Sequence, residues 1–156
     1  MEVQILDAAL AKRISDTIEE HRAEIIAFTQ ALIRIPTVNA PPRGSEGPAQ
    51  EFLATRLQQI GLEIDLFSLA EVKGLSSHPG YRVGGSNGVP RDYNGRPDLV
   101  GTWRGKGGGR SLILTGHMDV VDPGDPRNWR YGPWEATLAE GCIYGVGAVD
   151  DKGQLA

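Results

Sequence analysis

The sequence predicts an α/β fold in which a mixed sheet is flanked by helices. Three observations carry that prediction. Two stretches in the N-terminal part place apolar residues at helical spacing, short apolar runs of strand character follow them, and turn residues (21 glycines and 10 prolines) punctuate the chain. A chain of 156 residues fits one domain and can bury a real core.

The elements follow in order. Asp7 is a suitable N-cap, because its carboxylate can accept free backbone N–H groups. Beyond it Leu10, Ile14, Ile18, His21, Ile25, Phe28 and Leu32 recur every three or four residues, which predicts one long amphipathic helix. That helix ends before Pro36, since proline disfavours helical geometry in its predecessor. His21 lies on the apolar stripe and reads as a packed or edge histidine. Residues 38–44 form a proline-rich loop. A second helix carries Ala49, Phe52, Leu53, Leu57 and Ile60 on one face, with Gly61 as its stop. Leu62, Ile64 and Leu66 alternate with Glu63 and Asp65, a strand pattern. Residues 71–97 read as a long connection. Residues 99–103 and 111–115 are predicted as a hairpin turning through the glycine-rich residues 105–109, its second strand apolar enough to be buried on both faces. A smaller hairpin over residues 136–144 turns at Gly141, and a helix begins at Asp151. Cys142, in a short apolar strand, reads as a buried structural thiol.

Composition narrows the function. With 20 acidic and 16 basic side chains the net charge is -4, which argues against a nucleic-acid partner. No apolar run reaches the roughly 18 residues of a membrane span. The acidic start, residues 1–7, lacks the basic region of a secretory signal. A single cysteine cannot form an internal disulfide, in keeping with a cytoplasmic protein.

The chemistry concentrates after residue 111. His117 and Asp119 stand two apart on an extended segment, so their side chains share a face. A carboxylate there can accept the Nδ1–H of the imidazole, fix its tautomer and leave Nε2 for a metal. Gly116 lets the backbone turn closely beside the ion. Asp150, in a glycine-rich turn before a helix start, could bridge two metal ions. A lone His-x-Asp triplet arises readily by chance; the second motif is what gives it weight.

The pattern His117-Met118-Asp119-Val120-Val121, then Trp129 and Gly132-Pro133-Trp134, then Gly141 through Gly153, resembles the M20 metallopeptidases. The likeness is specific from about residue 98 onward and is nearest in wording to the deacylase branch, which includes acetylornithine deacetylase and succinyl-diaminopimelate desuccinylase. It implies the N-terminal portion of a zinc-exopeptidase-like catalytic domain over residues 1–156. It further implies that His117 binds one zinc, that Asp119 orients it, that Asp150 bridges two metals and that the Asp150-Asp151 peptide is cis. Val146 departs from a common arginine and Trp134 from a common phenylalanine; neither touches the ligands. The cofactor implied is Zn2+, two per complete site, with Co2+ or Mn2+ as alternatives. The substrate implied is a small N-acyl amino acid or peptide, cleaved at its amide bond. The general base, the remaining ligands and a lid or dimerisation domain are expected beyond Ala156, a homodimer being one arrangement open to the complete form. The 156-residue chain alone is then expected to be inactive. The rival reading is a non-catalytic remnant or an interface-contributing subunit.

Other motifs carry less. The elbow-like residues 84–88 lack the flanking strand and helix a nucleophilic serine needs. Residues 145–150 have aspartate where a dinucleotide fingerprint needs its third glycine. Residues 105–109, glycines with Lys106, resemble a phosphate loop only in composition. His78 reads as a solvated loop histidine, Asp122 and Asp125 as turn formers, and Asp151 as a helix-start carboxylate.

Overall fold

Asp7 does cap the first helix: its carboxylate accepts the Ala9 N–H at 3.3 Å. The computed structural model describes residues 7–82 and 88–156; residues 1–6 of the acidic start and 84–87 of the elbow at 84–88 lie outside the described residues. The one long helix expected here is two, α1 (Ala8–Glu20) and α2 (Arg22–Ile33), separated at His21 with φ -96° and ψ 4°. All of α1 is exposed, including Leu10, Ile14 and Ile18. A stripe that packs on nothing gives no reason to hold one straight axis. His21 is itself exposed and contacts Glu24 at 3.2 Å, in the first turn of α2. A carboxylate there favours a fresh helix start.

Helix α3 (Gly47–Gln59) ends as expected, with Gly61 at φ +92°. Its Ala49 and Leu53 meet Leu32 of α2 and Met118 in the core, and Phe28 stacks on Phe52 at 5.5 Å. Strand β1 (Glu63–Ser68) pairs antiparallel with β2 (Pro97–Thr102), Leu66 opposite Leu99. Gly101 lets Leu62 and Leu57 pack closely on β2: a Cβ there would lie 2.8 Å from Leu62 Cδ2 and would make that side chain shift. Arg96 enters β2 as the partner of Glu46 at the start of α3, through two bonds of 2.9 and 2.7 Å.

The second expected strand is overturned. Residues 111–115 run without strand pairing, and β2 takes β1 as its neighbour instead. Leu112, Ile113 and Leu114 are 81%, 86% and 87% exposed. A strand apolar on both faces needs a ladder partner and cover above and below, and the described residues bring neither. The small hairpin forms, with β3 (Thr137–Ala139) against β4 (Cys142–Tyr144). Cys142 is exposed, however, so it is not the buried thiol expected of it. The short helix α4 (Lys152–Leu155) follows. A parallel bridge, Val38 to Val120, ties the loop after α2 to the segment bearing His117. The architecture is therefore α/β, its named strands forming two separate two-stranded antiparallel sheets among the described residues. Among the described residues no helix is long and apolar enough to cross a membrane.

Candidate metal centre

Residues 117–120 alternate as an extended segment should. Met118 and Val120 point inward, 3% and 4% exposed, and leave His117 and Asp119 on the opposite side. Three bonds fix that register. Thr37 Oγ1 donates to the Met118 carbonyl at 2.6 Å, Val120 N–H donates to the Thr37 carbonyl at 2.9 Å, and Asn39 N–H donates to the Val120 carbonyl at 2.9 Å.

His117 and Asp150 come together, with Nε2 2.8 Å from Oδ1. The other ring nitrogen, Nδ1, lies 3.0 Å from the main-chain carbonyl of Asp119. A carbonyl only accepts, so Nδ1 carries the hydrogen. Asp119 thus holds the ring through its backbone. Its carboxylate, expected to take that bond, stands at 3.5 Å and accepts instead from Asn39 Nδ2 at 2.7 Å. Partial burial is the largest single influence on the imidazole and lowers its pKa. The Asp119 carbonyl, the Asp119 charge and Asp150 together outweigh it and hold the ring above its ordinary value.

Asp150 sits at the apex of the turn between β4 and α4, its side chain 83% exposed. The Asp150-Asp151 peptide is cis, as the resemblance implies. Lys152 anchors this turn from behind. Its ammonium is fully buried and donates to the carbonyls of Leu32 at 3.0 Å and Ile35 at 2.7 Å, 5.7 Å from the Trp134 ring. Those carbonyls lie at the C-terminal end of α2, where a cation is favoured. Burial pushes this lysine down to about 8. Asp151 stands at the N-cap of α4, the expected helix-start position, but its side chain makes no cap bond there. Its Oδ2 accepts the His117 N–H at 3.1 Å and so latches the two motifs together. Gly116 makes room for that latch: a Cβ at 116 would lie 2.6 Å from the same oxygen.

His117, Asp119 and Asp150 line a groove of about 720 Å³ that also takes in Asn39, Arg91, Trp129 and Tyr144. Asn39 and Arg91 carried no mark in the sequence, since no fixed spacing links them to His117. Asp122 and Asp125 act as turn formers, accepting from Gly124 N and Arg127 N. His78 caps its own loop by accepting from Gly80 N. An imidazole nitrogen and a carboxylate oxygen suit zinc in kind. In number they fall short of a catalytic zinc's usual three protein ligands; among the described residues no three His, Cys, Asp or Glu side chains group around one point.

Comparison with known proteins bears on the same segment. The model of peptidase family M20/M25/M40 matches residues 113–156. Succinyl-diaminopimelate desuccinylase of Methylorubrum extorquens (strain PA1) is 36% identical over 132 residues, 84% of this chain and 28% of that protein. The chain carries part of a family M20 domain. The likeness of this M20 chain extends to N-formyl-4-amino-5-aminomethyl-2-methylpyrimidine deformylase of Halalkalibacterium halodurans, 30% identical over 139 residues, 89% of this chain and 27% of the relative. The M20 chain thus spans 27% to 28% of the length of these curated relatives.

Proposed function

We propose that this chain supplies the His117–Asp150 part of a two-zinc centre that hydrolyses the amide bond of N-acyl amino acids or small peptides. The observation that supports it is the 2.8 Å approach of His117 Nε2 to Asp150 Oδ1 inside the family-matched segment. Two relatives named for removing an acyl group, a desuccinylase and a deformylase, favour the deacylase branch. In this reading His117 would hold one zinc, or Co2+ or Mn2+ in its place, and Asp150 would supply a carboxylate to the two-metal centre. Asp119 keeps the ring in its Nδ1–H tautomer. When bound, such ions polarise the scissile carbonyl and acidify a water. The general base and further ligands come from residues outside this sequence, and the active form is a cytoplasmic enzyme, with a homodimer as one arrangement, free of nucleic-acid and membrane partners.

Calorimetric titration of the purified chain with Zn2+ tests this. Weak binding is expected, lost in His117→Asn and Asp150→Asn, with no hydrolysis of an N-acyl amino acid panel by the 156 residues alone. Zinc binding indifferent to both substitutions refutes the centre. A second reading, an interface-contributing subunit without catalysis, is favoured by the exposed run Leu112 to Leu114. It is distinguished by adding the remaining part of a family M20 domain as a separate polypeptide: association without any hydrolysis supports it.

A further inference from the structure

The groove beside His117 and Asp150 holds one arginine or lysine among the described residues, Arg91. Its position is built. The next residue, Asp92, donates its N–H to the Pro42 carbonyl at 2.7 Å, which ties this part of the long connection to the Pro41-Pro42 turn. Arg91 Nη1 reaches Asn39 Oδ1 at 3.5 Å, and the same Asn39 amide donates to Asp119. A chain of contacts therefore runs from the guanidinium through Asn39 and Asp119 to the imidazole. Three carboxylates line the same groove, and each is engaged elsewhere: Asp119 by Asn39, Asp122 by the Gly124 N–H, Asp150 by His117. Among the described residues Arg91 forms no ion pair. A half-buried guanidinium with most of its five N–H donors unassigned among the described residues is matched to a planar anion that enters from outside.

We propose that Arg91 is a carboxylate subsite that selects substrates bearing a carboxylate next to the scissile amide, such as the Cα carboxylate of an N-acyl amino acid. This deepens the hydrolase reading and rests on it for the position of the amide. It also accounts for the asparagine in the proline-rich loop, whose two ends face the subsite and the metal-orienting aspartate.

The test uses N-acetylglycine and its neutral amide, N-acetylglycinamide, titrated into the full chain by NMR at constant ionic strength, with zinc removed by chelation. The acid is expected to bind about tenfold more tightly than the amide, the scale of a charge-assisted hydrogen bond. Arg91→Gln should abolish that preference, and Arg91→Lys should retain part of it, since a point charge cannot pair bidentately. Equal affinities in the wild type, or a preference that survives in Arg91→Gln, overturn the subsite. The wild-type comparison stands even if a variant misfolds. Zinc titration of the same samples separates the two ideas. Zinc binding lost in His117→Asn without any acid preference sinks the subsite alone. An Arg91-dependent preference in a chain indifferent to zinc sinks the hydrolase reading and leaves an anion site.

Discussion

Three groups hold His117: the Asp119 carbonyl at ring Nδ1, Asp150 at ring Nε2, and the Asp151 carboxylate at the backbone N–H. The last contact belongs to no motif spacing, yet it fixes how the two motif-bearing segments meet. Replacing Asp151 by alanine should lower zinc affinity about tenfold, the scale seen when an outer partner of a ligand is lost. Asp151→Asn keeps an acceptor oxygen and should stay near wild type. Gly116→Ala should mimic Asp151→Ala, because its Cβ would take the place of the carboxylate. The double variant should then be no worse than either single one. Additive losses in calorimetric titration would separate the two positions and refute the latch. At this scale the sequence was readable where function is local. His117 with Asp119, and the glycine-flanked Asp150, announce themselves within a few residues. Asn39, which meets Asp119 across 80 residues, does not.

Among elements, the join between α3 and β2 has the clearest electrostatic content. Glu46 and Arg96 form a two-bond pair with side chains only 7% and 11% exposed, and Gly44 packs against both. Removing one charge strands the other in a dry place. Glu46→Gln should destabilise the fold by about 3–5 kcal/mol, read as a shift in the urea midpoint. A change below about 1 kcal/mol would show that water reaches the pair. The periodic patterns of α3, β1 and β2 were legible, as was the β3–β4 hairpin, because each buries a face or closes on a near neighbour in sequence. The break at His21 was not. The stripe running from Leu10 through Leu32 keeps helical spacing across it, while only the α2 end of that stripe finds a core. Residues 111–115 misled for a related reason: apolar composition specifies a buried strand only where a ladder partner exists.

For the molecule as a whole, the balance of buried and exposed apolar surface sets its behaviour. Leu32, Ala49, Leu53 and Met118 make a small core, while Leu112, Ile113, Leu114 and Trp103 stand in water. Exposed apolar side chains in a run such as Leu112 to Leu114 promote self-association. Ile113→Lys should raise the soluble yield and suppress concentration-dependent light scattering, with the melting temperature unchanged because the side chain is 86% exposed. A fall in melting temperature would mean that the run is covered in solution. The fold class was visible at this scale from alternating helical and strand periods; the anchoring of the turn by Lys152 was not, since its partner lies 120 residues away. That separation has a temporal consequence. At a synthesis rate of about 5–20 residues per second, the Leu32 carbonyl waits about 6–24 s before the ammonium that will cap it has been made. Helix α2 therefore leaves the ribosome with its end capped only by water, and is completed only when the turn bearing Asp150 arrives.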